Sequence, residues 1–395
     1  MRPLPTVQTS GTRMFQLSEV ADIVMGQSPP GTSYNERGEG LPFFQGKAEF
    51  GEDFPTPVKW CSAPSRIAES GDILMSVRAP VGPTNVASER CCIGRGLAAI
   101  RARTTTVEAD YLLLFFKYLE PVLATKGQGS TFTAINKKEL HSLPVPVPSL
   151  DEQRNMVDIL KRADGIRRLR RQAQETVQQL IPALFIDMFG DPATNPRSYS
   201  VRTVGEIADV QGGLQVTRKR ADFPIERPYL RVANVYRNRL DLSEVKTIRL
   251  TQAELERVRL QAGDLLVVEG HGNKDEVGRC AIWDASIVDC VHQNHLIRVR
   301  PNREAVLPEF LSTYLNSAGG REHLLRQGKT TSGLNTISTA NVKTAPVFVP
   351  QLDHQKAFVE RLAMTSSIGQ QQETAHLLSE STFQSLLHKA FSGNL

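Results

Sequence analysis

A series of short segments in the first half of this 395-residue chain returns, in the same order, in the second half. Leu17-Ser-Glu-Val-Ala-Asp22 comes back as Val204-Gly-Glu-Ile-Ala-Asp209, and Gly71-Asp-Ile-Leu74 as Gly263-Asp-Leu-Leu266. Ile100-Arg-Ala-Arg103 answers to Ile297-Arg-Val-Arg300. Pro144-Val-Pro-Val-Pro148, followed by Leu150-Asp-Glu-Gln153, answers to Pro346-Val-Phe-Val-Pro350, followed by Leu352-Asp-His-Gln355. The offset grows from 187 residues (Leu17 to Val204) to 202 (Leu150 to Leu352), as expected of two copies of one unit that differ in loop length. A chain of this length has room for two domains of ordinary size, and the repeat says that they are copies.

Each copy reads as a mixed α/β (α+β) unit. Short apolar runs at Ile73 to Val77, Leu265 to Val268 and Leu296 to Val299 are bounded by Gly, Asp and Pro and predict strands. Tyr111 to Tyr118 and Phe310 to Leu315 predict helices. In the Pro-spaced segments the missing N–H groups, and the restriction on the residue before each Pro, force an extended chain. From Asp151 to about Phe185 the pattern turns helical: Met156, Ile159, Ala163, Ile166, Ala173, Val177, Leu180 and Leu184 form a stripe at three- and four-residue steps. Asp151 and Glu152 suit a helix start, and Gly190 a helix end. The second copy, Asp353 to about Phe391, carries a weaker stripe of Ala357, Met364, Ile368, Ala375, Leu378 and Leu386, interrupted by Gln371 and Thr382. The expected layout is residues 1–150 and 191–350 as globular domains and 151–190 and 351–395 as long helices. The helices would pack antiparallel and separate the domains in a pseudo-two-fold arrangement.

Composition narrows the class. No run of about eighteen apolar residues occurs, and Pro3, Pro5, Gln8 and Ser10 stand where a signal peptide needs an apolar stretch. The expectation is a soluble, cytoplasmic protein with no membrane partner. Cys61, Cys91, Cys92, Cys280 and Cys290 are odd in number and contain no C-x-x-C pair, so buried free thiols are expected rather than disulfides or zinc. Lys+Arg 47 against Asp+Glu 42 leaves a net charge of +5, which permits a polyanionic partner without demanding one. Most of that surplus lies between Asp191 and Pro350.

Several further segments carry a resemblance. Gln27-Ser-Pro-Pro-Gly-Thr-Ser-Tyr-Asn35, Pro42-Phe-Phe-Gln-Gly46, Gly71-Asp-Ile-Leu-Met-Ser-Val-Arg78, Leu184-Phe-Ile-Asp-Met-Phe-Gly-Asp-Pro192 and Leu386-Leu-His-Lys-Ala-Phe-Ser-Gly393, with the duplication, resemble the specificity subunit of type I restriction-modification enzymes. The resemblance runs from about Phe15 to Leu395. It implies two target recognition domains, each reading half of a split, asymmetric site in double-stranded DNA, with the paired helices setting the distance between halves. It also implies partners: two adenine-N6 methyltransferase subunits and ATP-dependent restriction/translocase subunits. No cofactor is expected in this chain, since S-adenosylmethionine, ATP and Mg would sit on those partners.

The chemistry of the residues agrees with a non-catalytic chain. Asp191-Pro-Ala-Thr194 and Asn195-Pro-Arg-Ser198 do not supply the Asn/Asp-Pro-Pro-aromatic motif of an adenine methyltransferase. Gly40-Leu-Pro-Phe-Phe-Gln-Gly46-Lys47-Ala48 misses the phosphate-loop spacing and ends in Ala where a hydroxyl must meet Mg²⁺. The alternative is a metal-dependent nuclease built from His271, His292 and His295. Against it, side chains at adjacent positions of a strand face opposite ways, so His292 and His295 would not share a face. A purely structural scaffold is a third reading.

Reading DNA needs Arg or Lys for guanine, Asn or Gln for adenine, and basic groups for phosphate. Candidates in the first copy are Gln45 with Lys47, Arg78, Arg95, and the loop containing Lys126, Gln128, Ser130 and Thr131. In the second they are Arg218, Lys219 and Arg220; Arg231 with Asn234; His271, Asn273 and Lys274; Gln293 with Asn294; and Lys329, Thr330 and Thr331. The loops at Lys126 and Lys329 occupy equivalent places, before Ile135 and Ile337. Arg78 has a competing reading as a buried ion-pair partner, and Phe43-Phe44 reads as core. The run Lys161-Arg162, Arg167-Arg168, Arg170-Arg171 reads as a helix face balanced by Asp158, Asp164 and Glu175, with phosphate or methyltransferase contact as the alternative.

Overall fold

A computed structural model describes residues 12–126, 134–331 and 334–393. Two compact units divide the chain: one takes in the described residues of Met1–Gln172 and Thr374–Leu395, the other those of Ala173–Glu373.

The first unit is built on a four-stranded antiparallel sheet in the order Ala21–Met25, Leu97–Ala102, Ile73–Ser76, Thr84–Val86. Beside it lies a five-stranded sheet in which Leu41–Phe44 runs parallel to Cys91–Ile93. The second unit repeats the four-stranded sheet as Ala208–Gly212, Leu296–Pro301, Leu265–Val268, Cys280–Ile282. It repeats the parallel pair as Ile225–Leu230 with Val291–His292. In each unit the Pro-rich segment is a strand, Pro144–Val147 or Pro346–Phe348, paired with the strand that opens the unit.

The repeated motifs turn out to hold this frame together. Gly71 and Gly263 take left-handed φ values of 88° and 93°, which Gly adopts without steric penalty. The Asp that follows each is almost wholly buried and doubly used. Asp72 accepts from Glu69 N at 2.8 Å and from both Arg101 Nε and Nη2 at 2.7 and 2.8 Å. Asp264 accepts from Gln261 N at 2.7 Å and from Arg300 Nε and Nη2, each at 2.7 Å. These fork-shaped, charge-assisted bonds neutralise a carboxylate that could not be buried alone. They also correct the register read from the sequence. Arg101 lies opposite Asp22 and Arg300 opposite Asp209 in the ladders, so Ile100-Arg101 corresponds to Val299-Arg300, two residues from the pairing suggested by the Ile-Arg-x-Arg match. A strand repeats every second residue, so an alternating Arg pattern can slip by two and still look right.

The Leu-Asp-x-Gln motif is explained in the same way. Gln153 is fully buried; its Oε1 accepts from Glu108 N at 2.8 Å and its Nε2 donates to Thr106 O and Pro148 O at 3.1 and 2.9 Å. Gln355 accepts from Leu307 N at 2.8 Å and donates to Ala305 O and Pro350 O at 3.2 and 2.8 Å. Each amide ties the start of a long helix to the loop before the unit's core helix, Ala109–Lys126 or Pro308–Asn316.

The long helices are Leu150–Phe189 and Leu352–Ser392, 40 and 41 residues. Within the first unit they run antiparallel: Leu160 shares a core with Phe383, Leu387 and Phe391, and Arg167 reaches Glu380 at 3.2 Å. Within the second unit Phe185 and Phe189 pack on Phe358, Phe310 and Phe348. Only part of each expected stripe lies on a packed face: Met156, Ala163 and Leu386 pack against the first unit's core, and Leu184 and Ala357 against the second's. Ile159, Ile166, Leu180, Met364, Ile368 and Leu378 are exposed, whereas Leu160, Phe185, Phe189, Phe358, Phe383, Leu387 and Phe391 are buried. The aromatic residues at the helix ends and the buried glutamines set the rotation of each helix, and a stripe of aliphatic residues does not reveal them.

Candidate nucleic-acid interface

At one edge of each unit, four chain segments meet through the same backbone hydrogen bonds. In the first unit Gln27 N donates to Ile93 O (3.1 Å), Gly94 N to Phe44 O (2.8 Å), Val77 N to Gly96 O (2.9 Å) and Ile135 N to Val77 O (2.9 Å). In the second, Leu214 N donates to His292 O (2.9 Å), Gln293 N to Leu230 O (2.9 Å), Glu269 N to His295 O (3.0 Å) and Ile337 N to Glu269 O (2.8 Å). Glycine lets these segments approach: a Cβ on Gly26 would collide with Gly94 O, and one on Gly213 with the carbonyls of His292 and Gln293.

This frame gathers most of the candidate residues. In the first unit Gln45, Lys47, Arg78 and Arg95 are all exposed and lie within three residues of the shared bonds. Arg78 is thus a surface residue, which removes its reading as a buried ion-pair partner. In the second unit, Gln293 and Asn294 follow His292 in the turn before Leu296. His271 lies in Gly270–His271, which pairs with Leu334–Thr336, and that strand pairs with Lys329–Thr331. The His271 and Lys329 segments therefore share one small sheet. Asn273 and Lys274 are exposed on its loop, with Asn273 N donating to His271 Nδ1 at 3.0 Å, and Lys329 is exposed. The Ile135 and Ile337 bonds put these two residues at equivalent places in the two units. Gln128, Ser130 and Thr131 lie outside the described residues, and only the backbone of Lys126, Thr330 and Thr331 is described.

Three candidates are committed elsewhere. Asn234 is 3% exposed; its Oδ1 accepts from Arg231 N and its Nδ2 donates to Asp241 O and Glu244 O, so it closes its own loop. Arg231 pairs with Glu244 at 2.9 Å. Arg220 bonds both oxygens of Glu254 at 3.0 and 3.1 Å and also Gln215 O, and its hydrogen bond holds the Glu254 carboxyl below the usual range. Arg218 and Lys219 beside it remain exposed.

The nuclease alternative finds no support. His292 is fully buried against Val258 O at 3.3 Å; burial, reinforced by Arg298, lowers its pKa to about 4. Such a group is a neutral core residue. His271 bonds its own loop, and His295 bonds Glu269 at 3.0 Å. Among the described residues no group of His, Cys, Asp and Glu is placed to hold a metal ion. The five cysteines are free and buried, and desolvation pushes the thiols of Cys91, Cys92, Cys280 and Cys290 up to about 12.

The basic run on the first long helix is largely spoken for inside its own unit. Arg162 pairs with Asp158, Arg167 with Asp164 and Glu380, Arg168 with Asp164, Asp53 and Glu52, Arg171 with Glu52, and Lys161 with Asp110. The partners at Glu52, Asp53 and Asp110 come from the globular part of the unit and are invisible to a helix-spacing argument.

The duplicated unit is matched among known proteins. The family model for the type I restriction modification DNA specificity domain matches residues 10–179 and again 196–375. The chain belongs to that family. It is 43% identical over 157 residues to a Methanocaldococcus jannaschii protein provisionally named the type I restriction enzyme MjaX specificity subunit, covering 40% of this chain and 37% of that one. It is 30% identical over 198 residues to the type I restriction enzyme EcoKI specificity subunit of Escherichia coli, covering 48% of this chain and 41% of the other. The chain thus spans about two fifths of the length of these curated relatives. The crystal structure of the S subunit of a type I restriction-modification system from M. genitalium matches 99% of this chain and 98% of its own at a TM-score of 0.55 and 13% identity, a likeness of fold.

Proposed function

We propose that the chain is the DNA sequence-specificity subunit of a type I restriction-modification complex, recognising a split asymmetric site in double-stranded DNA and having no active site of its own. Residues 1–150 and 191–350 act as the two target recognition domains, with 151–190 and 351–395 as their helices. Two adenine-N6 methyltransferase subunits, with S-adenosylmethionine, and restriction subunits, with ATP and Mg, supply the chemistry.

The observation that carries this reading is the duplicated edge. One backbone frame presents different side chains in the two units: Arg95, next to Gly94, is matched by Asn294, next to Gln293. Arg suits the O6/N7 face of guanine and Asn the N6/N7 face of adenine, so equivalent places read different bases. Lys47, Arg218, Lys219, Lys274 and Lys329 supply phosphate contacts that position the protein without choosing sequence. In the cell the reading places the complex in the cytoplasm; no helix among the described residues is long and apolar enough to cross a membrane.

The test is to co-express the chain with its methyltransferase subunit and map modified adenines across a genome. The expected result is a split motif with two unequal defined halves. A short continuous motif, or none, would overturn the proposal, and DNA cleavage by the purified chain with a divalent metal alone would restore the nuclease.

A further inference from the structure

The two edges differ most where their backbones agree. Val77 N donates to Gly96 O in the first unit as Glu269 N donates to His295 O in the second. Val77 is 2% exposed and Gly96 has no side chain, so the first unit offers no functional group there. In the second unit the same two places carry a carboxylate and an imidazole, Glu269 Oε2 and His295 Nδ1 lying 3.0 Å apart with both side chains partly exposed, 28% and 46%. Gln293 and Asn294 immediately precede this imidazole, and His271 follows the carboxylate by two residues.

A carboxylate beside a polyanion is repelled by phosphate, so at a DNA-facing edge it is tolerable only where it meets a hydrogen-bond donor. The donors in the major groove are the exocyclic amines, N4 of cytosine and N6 of adenine; guanine offers acceptors there, and thymine an acceptor and a methyl group. We infer that Glu269 and His295 form a base-selecting pair of the second unit, in which Glu269 accepts from the exocyclic amine of a cytosine or adenine and His295 orients the carboxylate. This rests on the reading of the edges as DNA-facing. The first unit, with Val77 and Gly96 in these places, has no counterpart, so the selectivity belongs to one half-site only.

The experiment selects bound duplexes from a random library with the full chain in complex with its methyltransferase, comparing wild type with Glu269→Leu and His295→Gln. Leucine fills a similar volume but cannot accept from an amine, so rejection of guanine and thymine at one position of one half-site is expected to fall by about tenfold or more, at the low end of the discrimination a good base contact gives. His295→Gln should loosen the same position to a lesser degree, and the other half-site should be unchanged in both. Both variants keeping every wild-type preference, or weakening binding evenly across all sequences, would overturn the inference while leaving the specificity-subunit reading intact. A wild-type complex that selects no split motif would instead overturn that reading itself.

Discussion

Replacing Gln355 by Met tests whether the repeated Leu-Asp-x-Gln motif is a structural staple. Methionine fills a similar volume but can neither donate nor accept at these positions, so Leu307 N, Ala305 O and Pro350 O lose their partners. Pro350 is buried, and leaving its carbonyl unsatisfied costs about 1–3 kcal/mol. Leu307 and Ala305 are half-buried, so water reaches their backbone after a small shift and each lost bond costs nearer its net worth of about 0.5–1.5 kcal/mol. The sum is about 2–6 kcal/mol, a large share of the 5–15 kcal/mol typical of a domain. Two units need not unfold together, so one global midpoint is the wrong readout. Hydrogen exchange read peptide by peptide across a urea series would report each unit separately. Gln355→Met should lower protection in residues 173–373 by that amount and leave the other unit nearly unchanged; Gln153→Met should do the reverse. A loss under about 0.5 kcal/mol for Gln355→Met, typical of an unremarkable surface site, or an equal loss in both units, would refute the staple.

Three further outcomes are expected. The Arg168 guanidinium holds the Asp53 carboxyl below its usual value of 3.8, so its contribution is present above that pH and is lost as acid carries the folded group through its lowered value; the gap in first-unit stability between wild type and Asp53→Asn, read by peptide-level hydrogen exchange in urea, should close below about pH 4 and shrink with salt. His292 titrates near 4 when folded and near 6.5 when unfolded, so the unfolded chain binds the extra proton between those values and stability falls on acidification by up to about 3 kcal/mol; replacing His292 with Phe should remove that slope in the second unit, as denaturation at stepped pH would show. Gly213→Ala places a methyl group against the carbonyls of His292 and Gln293, and should cost selectivity for one half-site before the other unit's stability changes, which library selection alongside circular dichroism would reveal.

Much of the frame was legible in the sequence, for a physical reason. The duplicated motifs are places where one residue type does a job no other can: a left-handed Gly before a buried Asp, a fork-shaped Arg opposite it, a Gln with one acceptor and two donors in use. Such positions recur wherever the unit recurs. Strand content and the extended Pro segments followed from local sterics. The rotation of the long helices did not, because Phe185, Phe189, Phe383 and Phe391 are buried by partners distant in sequence. The destinations of Arg220, Arg231 and Asn234 were hidden too, since Glu254 and Glu244 reach them through loops that no periodicity describes. Glu269 leaves no mark in linear spacing, because it meets His295 where two paired strands end, 26 residues apart in the chain.

On the proposed function, the same contrast would explain how one fold reads two different half-sites. The hydrogen bonds that assemble the edges run from backbone N–H to backbone C=O, and therefore specify no side chain apart from the glycines that admit the approach. The residues projecting from them, Gln45, Lys47, Arg78 and Arg95 in one unit and Asn273, Lys274 and Lys329 in the other, are exposed and outside the buried cores. Changes at such positions usually alter stability by less than about 0.5 kcal/mol, whereas a single base contact is worth about 1–3 kcal/mol of discrimination. Selectivity can thus change by more than tenfold while stability barely moves. The duplicated motifs therefore lie in the frame, and on the proposed function the bases each unit prefers are set by residues that those motifs do not contain.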